Sequence, residues 1–285
     1  MTSESDFHDK LQKVLTTHVE GCTGLVSADR LSGGASQETY RLVITTDAGE
    51  RTLALRRAVG GTYVEPRPGH PGLEAEALLI ESARKAGVPA PEVYYVLGPD
   101  DDLGDGFVME WIDGEALGAR VVRDDRFATV RPRLARECGR IMARIHAIDV
   151  EATGLDRHLA VMSPAEFVNQ TWDDYKAYDT PQPMIDYTAR WLLANLPTDY
   201  RPQLVHNDFR CGNFMLDENG IVAVLDWELA HIGDPMRDLG WICVNSWRFG
   251  GDQPVGGFGS YEDLFAGYED ESGRKIDPGA VRFWE

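Results

Sequence analysis

The chain has 285 residues, 43% of them hydrophobic, and its 47 acidic against 28 basic side chains give a formal net charge of -19. That apolar share supports a packed core and excludes a disordered chain, and the length suffices for one large domain or two lobes. Nucleic acid is excluded as an expected partner, because phosphate backbones demand a basic footprint; the acidity serves solubility or would steer a cationic substrate.

Phe7, Leu11, Val14, Leu15 and Val19 share one face at helical spacing, which predicts an amphipathic helix over 5–19. Ser32-Gly33-Gly34-Ala35-Ser36 reads as a flexible loop between two strands. Tyr40, Leu42 and Ile44, the turn Asp47-Ala48-Gly49, and Leu53 and Leu55 read as a hairpin. Residues 59–72 hold four Gly and three Pro and predict a loop. A helix is expected over 73–86, ended by Gly87, with Pro89 and Pro91 barring its continuation. Residues 92–97 and 107–112 read as strands around an acidic turn, and Asp113-Gly114 marks a lobe boundary.

Beyond that boundary the pattern turns helical. Phe127, Val130, Leu134, Cys138, Ile141 and Ile145 step by three and four into one apolar stripe. Helices are also expected over 164–178 and 183–196. Residues 214–216 and 221–225 read as strands joined through Asn219-Gly220, a strong hairpin turn. One helix should follow Asp234-Pro235, another should cover 261–268, and Asp277-Pro278 is a good helix start. The chain stops soon afterwards, in mid-pattern, which is expected of a protein that continues or has been shortened. Repeats and low-complexity segments are absent from the sequence.

Cys22, Cys138, Cys211 and Cys243 lack C-x-x-C spacing, which fits a reduced cytoplasmic protein better than a disulfide scaffold or a zinc site. The N-terminus carries neither the basic nor the apolar region of a signal peptide. No apolar run approaches the roughly 18 residues of a membrane span, so no membrane partner is expected. The sequence does not indicate an oligomeric state.

Residues 206–213 read His-Asn-Asp-Phe-Arg-Cys-Gly-Asn, and Leu225-Asp226-Trp227-Glu228 follows. A carboxylate, an Asn five positions on, and a second carboxylate at the end of a hairpin is the layout of metal-assisted phosphoryl transfer. Asp208 can accept or orient a hydroxyl proton, and Asn213 and Asp226 can hold magnesium between nucleotide phosphates. Taken singly, each could be an ordinary capping, turn or strand-end residue; their joint register outweighs that. Arg210 could neutralise the transferring phosphoryl group or be a surface ion-pairing residue. His206 reads as a buried strut rather than a base. Gly33, Gly34 and Ser36 could bring backbone N–H groups to phosphates, but without G-x-G-x-x-G or a Walker lysine a plain hairpin loop is the default. Arg56 on a strand and Glu76 on the next helix could be a cation aimed at phosphates and the carboxylate that holds it. Without the downstream motif, two unrelated surface charges would be the plainer reading.

With these residues the chain resembles the aminoglycoside phosphotransferase and choline kinase superfamily. Within it the chain is similar to a bacterial phosphotransferase group whose relatives are also found fused to acyl-CoA dehydrogenases. The resemblance covers residue 27 to the end and rests on Val-His-Asn-Asp-Phe-Arg-Cys-Gly-Asn and Val-Leu-Asp-Trp-Glu-Leu-Ala-His-Ile-Gly-Asp-Pro-Met-Arg-Asp-Leu-Gly-Trp. It implies an α+β, two-lobed protein-kinase-like fold. Residues 1–112 would form a nucleotide-binding sheet lobe with a hinge at 107–112, and 113–285 a mainly helical catalytic and acceptor lobe. It implies ATP and Mg2+ as cofactors, Asp208 as base, and Asn213 and Asp226 as magnesium ligands. Arg210 stands where protein kinases often carry a phosphate-contacting lysine. Backbone groups of Glu110 and Ile112 would bond adenine, with Met109 lining its pocket. Ser32 to Gln37 would be the nucleotide loop, and Asp238 the structural acid near the catalytic loop. Two departures stand out: Arg56 replaces the nucleotide-phosphate lysine, keeping the charge on a larger fork, and Gln37 replaces a common Asn.

The expected activity is therefore phosphorylation of a small-molecule hydroxyl. An amino sugar or other cation would suit the charge, and a hydroxy acid or hydroxyacyl-CoA would suit the dehydrogenase-fused relatives. A nucleotide-binding pseudokinase and a metal hydrolase built on His206, Asp208, Asp226 and Asp234 are the competing readings. A protein kinase is disfavoured, because Asp-Trp-Glu replaces Asp-Phe-Gly and no Ala-Pro-Glu follows.

Overall fold

The computed structural model of the protein describes residues 4–31, 37–65 and 70–285. Helix α1 (Glu4–His18) carries the expected apolar face, and Leu11, Val14 and Leu15 are buried. It covers one side of a sheet whose first strands are β1 (Cys22–Arg30), β2 (Gln37–Thr46) and β3 (Gly49–Ala58). Helix α2 (Leu73–Lys85), β4 (Val93–Val96) and β5 (Gly106–Glu110) complete this lobe, and the antiparallel sheet runs β1-β2-β3-β5-β4.

Alternation along the strands sorts side chains between two layers. Leu42, Ile44, Leu53, Leu55 and Val108 join α1 in one apolar cluster. Ala54, Phe107 and Met109 face the other way and pack with α2 into a core that continues through the second lobe. Arg56 shares the parity of Ala54 and so lies on this second face, paired in register with Thr39.

Strand β5 ends at Glu110, earlier than the sequence suggests. The Glu110 amide makes the last bond, to Glu92 O at 2.8 Å; Trp111 then turns its Nε1 to Asp113 Oδ1 at 2.9 Å. Glu115 and Leu216 exchange backbone hydrogen bonds of 2.8 and 3.0 Å, which staples the segment after β5 to the second lobe.

The second lobe contains α3 (Gly118–Arg123), α4 (Arg131–His146), α5 (Val150–Thr153), α6 (Pro164–Ala177) and α7 (Pro183–Ala194). Four short strands follow: β6 (Gln203–Val205), β7 (Phe214–Leu216), β8 (Ile221–Val224) and β9 (His231–Gly233). Helices α8 (Met236–Trp241), α9 (Tyr261–Ser272) and α10 (Pro278–Trp284) close the chain, with Asp277 capping α10 as expected. β7 and β8 form the expected hairpin, and β6 pairs with β9. This is an α+β, protein-kinase-like fold. None of its described helices is long and apolar enough to cross a membrane.

Helix α4 forms the spine of this lobe. Leu134, Cys138, Ile141 and Ile145 of the predicted stripe are buried, while Phe127 and Val130 extend it ahead of the helix, which starts beside Pro132. Its backbone presses against α9 through two glycines. A Cβ on Gly139 would lie 2.1 Å from Leu264 O, and one on Gly267 would lie 2.0 Å from Arg136 O. Gly139→Ala should therefore force the helices apart and destabilise the fold by about 1–3 kcal/mol. Urea unfolding would show a lower midpoint at unchanged slope, and a wild-type midpoint would refute this packing.

Candidate active site

Three of the four short strands of the second lobe border the candidate side chains. β6 leads into His206, Asn207 and Asp208, Asn213 immediately precedes β7, and β8 ends two residues before Asp226. The leading loop is fastened from below by Asp238, which has no exposed surface. Its Oδ2 accepts the His206 amide at 2.8 Å and its Oδ1 the Asn207 amide at 2.7 Å. His146 Nε2 lies 3.0 Å from the same Oδ2, and His146 Nδ1 lies 3.0 Å from Tyr268 Oη. Burial opposes ionisation of Asp238, but the His146 and His206 interactions hold its carboxyl below the usual range. Asn207 (φ 69°) and Asp226 (φ 65°) both adopt the left-handed region, which Asn and Asp tolerate better than other non-glycine residues. Such backbone clusters at functional sites.

His206 is fully buried and acts as a strut. Its Nδ1 accepts the Asp208 amide at 3.3 Å and its Nε2 donates to Leu225 O at 3.0 Å, so the ring is neutral, and burial pushes its pKa down. Leu225 N donates to Asn213 O at 2.7 Å, which brings the end of β8 beside the start of β7.

Four donors surround the Asp208 carboxylate. Arg210 reaches it twice, Nε to Oδ1 at 3.0 Å and Nη2 to Oδ2 at 3.1 Å. Trp241 Nε1 donates to Oδ1 at 2.7 Å and Asn213 Nδ2 to Oδ2 at 2.5 Å. The Arg210 guanidinium also lies 4.2 Å from the centre of the Trp247 ring. Asn213 Nδ2 bonds Asp208 O as well, at 3.0 Å, so the amide oxygen is the atom left to face a cation.

Arg56 joins the sheet to this loop. Its Nε lies 3.0 Å from Glu76 Oε1 and donates to Gln37 Oε1, and its Nη2 lies 2.5 Å from Asp226 Oδ1. Arg56 and Glu76 are thus one buried pair rather than two surface charges. Gln37 Nε2 reaches Glu76 Oε2 at 3.3 Å and Glu228 Oε2 at 3.4 Å, beside a cavity of about 340 Å3. Burial raises the Glu76 carboxyl to about 7 against the opposing charge of Arg56.

The structure brings Asp208, Arg210, Asn213, Asp226, Arg56 and Glu76 together. Gly33, Gly34 and Ser36 lie outside the described residues. Met109 is buried on β5, the Glu110 amide is already bonded to Glu92, and Ile112 follows the end of the strand. Asp234 instead accepts Trp284 Nε1 at 2.8 Å and the Met236 amide at 3.0 Å, which removes it from the proposed hydrolase set. Sequence reasoning missed Trp241, His146 and Glu228. Trp241 sits three residues after Asp238 on one helical turn, a spacing that could have flagged it.

Asn213 and Asp226 offer one amide oxygen and one carboxylate. Among the described residues, no group of three or more His, Cys, Asp or Glu side chains could hold a metal ion without help. Magnesium takes one or two protein oxygens and completes its octahedron with phosphate oxygens and water, so this donor set fits it with a nucleotide.

Burial lowers the His231 pKa to about 4 from 6.5. The unfolded chain therefore takes up this proton first. Stability from the neutral ring is complete above about 6.5 and is lost as pH falls toward about 4. Urea titrations across this window should give a shallower loss of stability for His231→Gln than for the wild type; parallel curves would contradict a buried neutral ring.

The chain is similar to known proteins in sequence and in fold. The profile of the phosphotransferase enzyme family matches residues 27–284. Acyl-CoA dehydrogenase family member 10 of Mus musculus is 30% identical over 243 residues, which is 82% of this chain but 21% of that protein. The chain thus spans about a fifth of that relative's length. A Ralstonia eutropha structure assigned as an aminoglycoside phosphotransferase superposes with a TM-score of 0.77 at 25% identity, covering 96% of this chain and 84% of the other. The streptomycin–ATP–APH(2″)-IIa ternary complex shares the fold, with a TM-score of 0.56 at 16% identity, covering 96% and 84% of the two chains.

Proposed function

The chain belongs to the phosphotransferase enzyme family, and we propose that it transfers the γ-phosphoryl group of ATP, bound with magnesium, to a hydroxyl of a small molecule. The observation that carries this reading is the Glu76–Arg56–Asp226 chain, 3.0 and 2.5 Å in its two links, set beside the Asp208–Asn213 pair. A cation fixed by a buried carboxylate and turned toward a candidate metal ligand suits a site that must neutralise phosphate. The ATP-containing complex that shares the fold supports the nucleotide.

Each residue then has a defined task. Glu76 holds Arg56, and Arg56 meets the nucleotide phosphates. Asn213 and Asp226 would hold magnesium, which screens charge on the β- and γ-phosphates. Arg210, now bidentate on Asp208, moves to the transferring phosphoryl group and so frees the carboxylate. Asp208 orients the acceptor hydroxyl and takes its proton as the new O–P bond forms. The bond between the γ-phosphorus and the β–γ bridging oxygen breaks, and ADP leaves. His206, Asp238 and His146 keep the loop in place without contacting substrate. Met109 and the backbone of Glu110 and Ile112 would receive adenine, the Glu110 amide excepted. A cytoplasmic setting accords with four free, buried cysteines.

Asp208→Asn should retain the loop geometry and ATP affinity but lower turnover by about 10²–10⁴-fold. ADP release should be measured with amino sugars, choline-like amines and hydroxy acids as acceptors. Wild-type turnover in the variant would sink the role of Asp208. ATP binding by the wild type without turnover on any acceptor would favour a pseudokinase.

A further inference from the structure

Among the described residues, a buried charge near the site, Arg237, has no carboxylate within ion-pair distance. Arg237 is 8% exposed, and among the described residues it forms no ion pair. Its Nε donates to Asn207 Oδ1, and its guanidinium lies 3.9, 5.2 and 5.5 Å from the ring centres of Phe167, Trp241 and Trp284. Burial lowers its pKa to about 10, with the more distant charges of Asp238 and Asp208 opposing. A guanidinium taken out of water without an anion is costly unless something else completes it.

Arg237 helps to line a cavity of about 530 Å3 between α6, α7 and α10. Phe167, Trp172, Met184, Ile185, Phe283 and Trp284 form the apolar walls. The volume falls within the range of small-molecule sites, on the order of 300–1,000 Å3. Met184 and Ile185 remain 70% and 44% exposed, so α7 presents apolar surface that nothing in the chain covers among the described residues. Glu285 also lines the cavity, but Arg248 at 3.0 Å and Tyr261 Oη at 2.7 Å already answer its carboxylate. The cavity adjoins the catalytic loop. Arg237 touches Asn207, the neighbour of Asp208, and Trp241 both stacks with Arg237 and donates to Asp208 Oδ1 at 2.7 Å.

Resting on the phosphotransferase reading, we propose that this cavity holds the acceptor, a largely apolar hydroxylated molecule with a carboxylate or equivalent anionic group that pairs with Arg237. Apolar walls bury an alkyl or aryl body, and the planar fork of Arg237 suits a carboxylate. A polycation fits poorly. Arg237 already occupies the faces of Phe167 and Trp284 and repels a second positive charge. The overall acidity of the chain then serves solubility rather than steering. The transfer itself is unchanged: the hydroxyl oxygen gains the phosphoryl group, its proton goes to Asp208, and ADP departs.

The test uses three matched probes: a medium-chain hydroxy carboxylate, its methyl ester, and the amino alcohol of equal length. Binding is read by quenching of tryptophan fluorescence without ATP, and transfer by ADP release with ATP. The carboxylate should bind and be turned over, with a KM at least about tenfold below those of the ester and the amino alcohol. Ile185→Glu, on a surface that tolerates a charge, should raise that KM at least about tenfold with the KM for ATP unchanged. Preference for the amino alcohol, an unaltered KM in Ile185→Glu, or no saturable binding of the carboxylate would overturn the ligand class. Carboxylate binding that Ile185→Glu abolishes, with no transfer from ATP to any probe, would retain the ligand class and overturn the phosphotransferase reading instead.

Discussion

Arg56 joins the two lobes at one electrostatic centre. Its guanidinium is held between Glu76, on the helix behind the sheet, and Asp226, just past the end of β8. All three groups are partly or wholly withdrawn from water, so the attraction is stronger than at a surface, while each charge bears a desolvation penalty. Removing one partner would leave the others uncompensated. The arrangement also stores an unsatisfied demand. Glu76 is pushed up to about 7, and among the described residues its Oε1 lacks a hydrogen bond because the Arg56 Nε–H is donated to Gln37. A nucleotide phosphate with its magnesium would redistribute these charges, which is why the pair reads as a poised site rather than a structural rivet.

The loop opposite Arg56 achieves rigidity by a different route. Asp238 takes two backbone amides and one imidazole, so its buried carboxylate is satisfied and fixes the left-handed turn at Asn207. Asp208 is then presented from a backbone that cannot drift. Behind it, His146 and Tyr268 connect this anchor to α4 and α9, the helices that the glycines at 139 and 267 bring into backbone contact. Core packing and site geometry are therefore one structure.

Local chemistry was legible in the sequence, and long-range closure was not. Asp208, Asn213 and Asp226 were readable because one loop and one hairpin, turned by Asn219-Gly220, carry all three. The Arg56–Glu76 pair was a candidate only in the light of the downstream motif, since periodicity alone does not say which helix meets which strand. His146, lying 92 positions before Asp238, offered no local signal, and neither did the Gln37–Glu228 contact across 191 positions. Strands β6 and β9, three residues each, are too short for alternation to register. Expectation ran too far at the hinge: residues 111 and 112 were read as strand, but the ladder ends when the Glu110 amide meets Glu92. Arg237 carried no signal of its own in the sequence, and it is the fold that places it among aromatic rings.

Calorimetric titration of ATP, with and without Mg2+, into the wild type and Asp226→Asn tests the central claim most directly. If Asp226 leaves Arg56 to hold the metal, Mg2+ should tighten ATP binding to the wild type by at least about tenfold and leave the variant nearly unchanged. Equal magnesium dependence in both proteins, or none in the wild type, would contradict the account.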